Sequence, residues 1–102
     1  MARRLQLHEE LCSILGSRNV YFQPPESVKL RYDAIVYRVS NRNDLKANDR
    51  RYRGMIAYEV TYITRDPDSE IPEVLLNSFD YIRFNTSFTT DNLHHEVFTI
   101  YY

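Results

Sequence analysis

The sequence of 102 residues has few of the residue types that build cofactor and metal sites. Its single cysteine, Cys12, excludes an internal disulfide framework and a cysteine-rich zinc site, and it is compatible with folding in a reducing cytoplasm. Its two glycines, Gly16 and Gly54, are too few for a glycine-rich loop that cradles phosphate. We therefore expect no cofactor.

Long apolar runs and an excess of one charge are also missing. No apolar run approaches the ~20 residues that a membrane-spanning helix needs, so we expect no membrane partner. The basic start "MARR" is soon interrupted by Gln6, His8 and Glu9, so we do not expect a signal peptide. The formal net charge of −1 gives no overall field toward nucleic acid. The length favours a single domain over residues 1–102.

Aromatic residues are abundant instead. Nine tyrosines and five phenylalanines, with no tryptophan, crowd into the second half of the chain. Both residue types favour strands, and tyrosine also suits protein interfaces because it combines large area with a polar tip. This composition indicates a sheet whose surfaces contact other proteins.

Hydrophobic periodicity predicts a small α+β domain. In the first helix, Leu7, Leu11, Ile14 and Leu15 form one apolar stripe, and Gly16 follows as a left-handed cap. A hairpin turns at Asp91-Asn92. The predicted elements, in the order α-β-β-β-α-β-β, are a helix over 2–15, strands within 19–25, 32–40 and 52–65, a short helix over 72–79, and hairpin strands over 81–90 and 95–102. The sheet is expected to be mainly antiparallel, with about four to five strands.

The acidic stretch "RDPDSEIPEVLLNSF", residues 65–79, is the first candidate for a chemical site. A calcium loop that starts at Asp66 would need glycine at its sixth position and glutamate at its twelfth, but Ile71 and Asn77 stand there. A metal-dependent nuclease would need a lysine soon afterwards, and the only lysines, Lys29 and Lys46, lie upstream. The residue types do not form either site.

A structural interpretation of the same stretch accounts for more of its residues. Pro67 ends the preceding strand, Asp68 or Ser69 offers a helix cap, and Pro72 fits the first helical turn. Glu73 complements the helix dipole. We therefore interpret the stretch as a corner between a strand and a helix.

The remaining candidates for catalysis or metal binding are weak. His8 and Cys12 lie four residues apart on the first helix but have no third ligand. His94 and His95 are adjacent in a strand, so their side chains point to opposite faces. We predict no catalytic, cofactor-binding or metal-binding residues, and no enzyme activity.

A basic cluster lies on the long polar connection over 41–51 and its flanks. As a solvated loop it would have no function, but a loop of this length in a small domain is more often functional. We predict that it is a contact arm, either toward acidic patches on a protein neighbour or toward nucleic acid phosphates. Its predicted contact residues are Arg42, Lys46, Arg50, Arg51 and Arg53, with Arg38 beside them.

The strings "YEVTYITRDPDSEIPEVL" and "FTTDNLHHEVFTIYY", with Phe79 between them, resemble the tail-completion and tail-terminator proteins of long-tailed bacteriophages and prophages. The upstream string "AIVYRVSNRNDLKANDRRYRG" is similar to that family's strand, polar loop and returning strand. The resemblance runs from Leu30 to Tyr102, and the patterns DPDSxIP and TxDNLxHxxF carry most of it.

The resemblance implies a non-enzymatic ring component of the virion neck, assembled in the bacterial host cytoplasm. Such proteins form rings, commonly hexamers, at the end of the tail tube, stop tail growth and join the tail to the head. The implied partners are other copies of the chain, the tail tube protein and the head connector or head-completion protein. DNA that passes through the ring is a further partner that the basic cluster allows.

A small nucleic-acid-binding module is the alternative. It would use the basic cluster over 38–53 together with exposed tyrosines on which bases stack. Salt-dependent binding to DNA distinguishes the two, because an isolated ring subunit need not show it.

Overall fold

The computed structural model describes residues 2–25, 27–41 and 55–102. Within these residues, two helices and five strands follow the order α-β-β-β-α-β-β, which confirms the α+β prediction. The elements are α1 (Ala2–Leu15), β1 (Val20–Phe22), β2 (Ala34–Asn41), β3 (Ala57–Thr64), α2 (Ile71–Ser78), β4 (Ile82–Thr90) and β5 (Leu93–Tyr101).

Helix α1 packs through the predicted apolar stripe. Leu7 and Leu11 are fully buried, and Ile14 and Leu15 pack against the edge of the core. Gly16 ends the helix with φ +80°, a left-handed conformation that costs glycine little. Its N–H donates to the Cys12 carbonyl at 2.9 Å, so the predicted cap is confirmed.

The five strands form one sheet in the order β1-β2-β3-β5-β4. β1 runs parallel to β2, and the other neighbouring pairs are antiparallel. The last strand of the chain, β5, therefore lies inside the sheet between β3 and β4, whereas β1 and β4 are its two edges. A mainly antiparallel sheet is confirmed.

The hairpin of β4 and β5 turns where the sequence predicts. Asp91 and Asn92 have φ +51° and +63°, and two such residues form a turn whose twist matches that of the flanking strands. One irregularity lies in β4: Phe84 pairs with Phe98 but Thr86 pairs with Val97, so the residue between them is an extra one. This extra residue forms a β-bulge in the edge strand.

Both helices cover the same face of the sheet. Helix α1 contacts β1, β2 and α2, and α2 also contacts β4. Three tyrosines of the sheet belong to this core: Tyr37 and Tyr62 are fully buried, and Tyr58 is 3 % exposed. The central residues of the core are Leu7, Leu11, Ile35, Tyr37, Tyr58, Val60, Tyr62, Leu75, Phe98 and Ile100.

Several strand boundaries differ from the prediction, and β5 begins at Leu93 instead of residue 95. The strand predicted over 52–65 begins at Ala57 among the described residues and ends at Thr64, and the strand predicted from Tyr32 begins at Ala34. Strand propensity marks residues that suit a sheet, but a strand exists only where a neighbour pairs with it. Ala57 and Tyr101 form the last residue pair at this end of the β3–β5 ladder.

Candidate functional site

The predicted contact arm, with Arg42, Lys46, Arg50, Arg51 and Arg53, lies outside the described residues, so its role stays a prediction. The strands that flank it are described. The connection leaves the sheet after Asn41 and returns before Ala57, and these two residues are paired. The arm therefore joins two strands that are hydrogen-bonded neighbours within the sheet, which gives it a well-ordered base.

Arg38, at the flank of the basic cluster, is bound within the sheet. Its Nε donates to Glu59 Oε1 at 2.9 Å across β2 and β3, and both side chains are partly exposed. A partly exposed pair of this kind adds little to stability. The Glu59 carboxylate does neutralise the charge of Arg38 locally, so the remaining basic charge of the cluster lies on the arm residues.

The sheet face opposite the helices presents a mixed polar and apolar surface. The strand alternation places Arg38, Glu59 and Thr99 on this face, because their neighbours Tyr37, Val60 and Phe98 point into the core. The helical residues of the described core all lie on the other side, namely Leu7, Leu11, Cys12 and Leu75. The arm thus begins and ends beside a face that carries both charge and β-branched side chains.

The acidic corner forms a network of local hydrogen bonds. Asp66 Oδ1 accepts from the Asp68 N–H at 2.9 Å, and Thr64 Oγ1 accepts from the Asp66 N–H at 3.0 Å. Ser69 Oγ accepts from the Ile71 N–H at 3.2 Å at the start of α2. These bonds satisfy backbone groups at the strand end and the helix start, as the structural interpretation requires.

The capping prediction named the wrong residues, because Glu70, and neither Asp68 nor Ser69, occupies the N-cap position of α2 and makes no side-chain capping hydrogen bond. Ser69 Oγ, one residue earlier, nonetheless accepts from the Ile71 N–H at the helix start. Asp68 instead donates its own N–H to Asp66, because the turn that starts at Asp66 uses that carboxylate. Pro72 lies in the first turn of α2 and Glu73 follows it, as predicted.

Asp33 connects this corner to the start of β2, and the sequence reasoning missed it. Thr64 Oγ1 donates to Asp33 Oδ1 at 2.8 Å, and the Tyr62 hydroxyl donates to Asp33 Oδ2 at 3.4 Å. The same Tyr62 hydroxyl lies 2.8 Å from Ser69 Oγ. The only sequence signal for Asp33 is a carboxylate directly before a strand, which an ordinary turn residue also provides.

The histidine and cysteine pairs make other contacts. His8 Nδ1 lies 2.8 Å from the Tyr37 hydroxyl, and burial raises the pKa of the Cys12 thiol. His94 pairs across β3 with Thr64 and His95 with Ile63, so the two imidazoles lie on opposite faces as predicted. Among residues 2–25, 27–41 and 55–102, no three histidine, cysteine, aspartate or glutamate side chains come together as metal ligands.

A cleft between the two helices is the next candidate for a chemical site. A cleft of about 350 Å³ between α1 and α2 is lined by Glu9, Glu10, Ser13, Ile14 and Ser78. Two carboxylates and two serine hydroxyls are among these described lining residues, and no histidine is. Neither helix of the described chain is long and apolar enough to cross a membrane.

No family model, no curated protein and no solved structure matches this chain. The resemblance to tail-terminator proteins therefore rests on its sequence strings, which now have places in the fold. The DPDSxIP string forms the corner between β3 and α2, and the TxDNLxHxxF string forms the end of β4, the turn and β5 as far as Phe98.

Proposed function

We propose that this chain is a non-enzymatic structural subunit of the neck of a long-tailed bacteriophage or prophage. In this proposal it forms a ring, a hexamer by the resemblance, at the end of the tail tube. The ring ends tail growth and joins the tail to the head connector. The observation that carries the proposal is that residues of both resembling strings bond within the fold. Asp66 and Ser69 of the first string accept from backbone N–H groups, and the Thr89 hydroxyl of the second lies 3.1 Å from His94 Nδ1.

The corner supports this proposal through its hydrogen bonds. A catalytic carboxylate must reach a substrate, but Asp66 Oδ1 accepts from the backbone of Asp68, and Ser69 Oγ is engaged by Ile71 and Tyr62. Polar groups that are used in this way hold elements together. The function then falls to surfaces, namely the exposed part of the sheet and the arm.

The arm supplies the contact in this proposal. Its arginines can each pair with a carboxylate of a neighbouring subunit through two hydrogen bonds, which fixes orientation as well as affinity. Its base between β2 and β3 is set by a ladder from Ala34 to Asn41, so the arm leaves every subunit at the same place. Identical placement is what a closed ring requires of its contacts.

The nucleic-acid alternative keeps its basic cluster but loses part of its predicted stacking surface. It relied on exposed tyrosines, and Tyr37, Tyr58 and Tyr62 are buried in the core. Bases stack only on accessible rings, so these three side chains cannot serve. Described tyrosines outside this core, such as Tyr32 at 38 % exposure, remain available to that alternative.

A pair of charge reversals tests the proposal. We expect the double variant Arg50→Glu/Arg51→Glu to stay folded and lose ring formation, because opposite charges at the contact become like charges. The control is Lys29→Glu/Arg31→Glu, which changes the net charge equally at two exposed positions outside the arm. Sedimentation velocity and negative-stain images would show rings for the wild type and the control, and monomers or smaller species for the arm variant.

Two results would count against the proposal. Rings formed equally well by the arm variant would remove the arm from assembly. Normal assembly combined with loss of salt-sensitive DNA binding would favour the nucleic-acid module. Equal melting temperatures for both variants would show that the charges act on contacts, since exposed charges contribute little to stability.

A further inference from the structure

The two edges of the sheet are protected unequally. The β1 edge is only three residues long, from Val20 to Phe22. Gln23 follows with φ +44°, and Pro24 and Pro25 come next. Short length and proline are both devices that prevent another chain from pairing with an edge strand.

The β4 edge has few of these devices. It is nine residues long, and all of its residues after Ile82 are exposed, including Phe84 at 46 % and Phe88 at 49 %. The segment from Phe84 to Thr90 contains no charged residue and no proline, and is rich in threonine and phenylalanine. After the bulge, residues 86–90 pair with β5 in unbroken register. This segment has the composition of a strand that accepts a further strand.

The register shows which backbone groups of β4 are available. Tyr101 donates its N–H to the Tyr81 carbonyl at 2.9 Å, and the two-residue turn places Thr90 opposite Leu93. Antiparallel pairs alternate between hydrogen-bonded and non-bonded positions. Thr86, Phe88 and Thr90 therefore bond to β5, and Ser87 and Thr89 direct their N–H and carbonyl groups away from it.

We propose that β4 pairs antiparallel with β4 of a second copy of this chain, with Phe88 opposite Phe88 of that copy. In this register Ser87 lies opposite Thr89 of the second copy, so the outward-directed backbone groups of both strands bond to each other. Thr86 lies opposite Thr90. The two sheets become one continuous sheet across a two-fold axis.

The side chains on β4 favour a second copy as the occupant. Self-pairing places like residues together, which is unfavourable for charges but not for the neutral side chains of residues 86–90. Phe88 already stacks on His95, with ring centroids 4.6 Å apart, and the pairing would continue this stack across the axis. Arg83 lies beyond the paired segment. Because the β1 edge is blunted, the pair closes without growing into a fibre.

This contact does not depend on the proposed ring, and a ring does not depend on it. The paired segment is short and buries less than the ~1,200 Å² typical of a stable complex, so the dimer should be reversible and visible at high protein concentration. The proposed register still defines which residues of the two copies face each other, so single substitutions can test it.

Cross-linking tests the register. In a Cys12→Ala background, Phe88→Cys should give a covalent two-chain product under mild oxidation. A non-bonded antiparallel pair holds its Cα atoms ~4.5 Å apart, within the range that a disulfide spans. The matched control is Phe84→Cys, which is equally exposed on the same strand but lies outside the paired segment. Equal cross-linking of both variants, or none at position 88, would overturn the proposal.

A backbone substitution tests the hydrogen bonds. Ser87→Pro removes only an outward-directed N–H, so it should keep the fold by circular dichroism and lose the dimer in sedimentation equilibrium. Ser87→Ala keeps that N–H and should dimerise as the wild type does. A folded Ser87→Pro chain that still dimerises would contradict the proposal. Because proline also fixes φ, an unfolded variant would leave the decision to the cross-linking contrast between positions 88 and 84.

Discussion

At the residue scale, two aspartates show that position in the network matters more than residue type. Asp33 accepts hydrogen bonds from Thr64 and Tyr62, and so ties the start of β2 to the corner before α2. Asp68, which the sequence marked as a helix cap, contributes only its backbone N–H to the same corner. The fold should therefore depend on the carboxylate that the sequence did not single out.

We expect Asp33→Ala to lower the free energy of unfolding by about 1–2 kcal/mol, because two hydrogen bonds to a carboxylate are lost and the nearly buried Thr64 loses its acceptor. Asp68→Ala is the matched control and should change it by less than about 0.5 kcal/mol, as surface substitutions usually do. Urea denaturation of both variants measures this. A larger loss for Asp68→Ala than for Asp33→Ala would show that the corner is held differently.

A second residue-scale prediction concerns pH. His8 Nδ1 lies 2.8 Å from the Tyr37 hydroxyl, to which Arg4 Nη1 also donates at 3.2 Å. Burial lowers the pKa of His8 below its usual 6.5, the cations of Arg18 and Arg4 lower it further, and Glu9 opposes them. Because the folded state then binds this proton less readily than the unfolded state, His8 contributes stability above pH 6.5 that is lost as the pH falls toward the lowered value.

We therefore expect the unfolding free energy of the wild type to fall as the pH decreases through 6.5, and His8→Gln to show a weaker dependence. His94→Gln is the control, since His94 bonds to an exposed threonine, Thr89, on the hairpin. Denaturation at a series of pH values measures the difference between the variants. Parallel profiles for the wild type and His8→Gln would refute the assignment.

At the element scale, the hairpin of β4 and β5 is asymmetric. β5 lies between two other strands and buries Phe98 and Ile100 fully, whereas β4 is an exposed edge. Phe84 pairs with Phe98 across the hairpin, with ring centroids 5.6 Å apart, yet 46 % of Phe84 is exposed. Phenylalanine is therefore buried in the core on β5 and about half exposed on β4.

We expect Phe98→Ala to destabilise the protein by about 3–5 kcal/mol, the range for deleting a buried aromatic side chain. Phe84→Ala, its cross-strand partner, should cost about 1 kcal/mol because much of its ring is already in water and mainly a ring–ring contact is lost. Chemical denaturation checks both values. Similar losses for the two variants would mean that β4 is covered by something in solution.

The element order could be predicted from sequence because each element carries a local signal. The stripe with Leu7 and Leu11, the prolines around the corner and the Asp91-Asn92 turn all depend on neighbours a few residues away. The sheet order could not be predicted, since the parallel β1–β2 pair and the insertion of β5 depend on pairings between distant parts of the chain. Asp33 was missed for the same reason, because its partner Thr64 is 31 residues away.

At the scale of the whole molecule, the chain combines a well-specified core with surfaces that are not needed to fold it. The predicted arm, which follows Asn41 in the chain, and the β4 edge involve different residues, so variants can separate them. We expect Phe88→Lys to weaken only the two-fold contact and Arg50→Glu/Arg51→Glu only the ring. Sedimentation of both variants against the wild type would check this separation, and loss of both assemblies in one variant would contradict it.

The mass of the assembled particle tests the central claim most directly. Sedimentation velocity of the purified chain over a concentration series, with negative-stain images of the same samples, gives the number of 12.2 kDa subunits and their arrangement. We expect closed rings of one fixed subunit number that disappear in the arm variant and persist in its Lys29→Glu/Arg31→Glu control. Monomers or isolated two-fold dimers at every concentration, with salt-dependent DNA binding by the monomer, would contradict it.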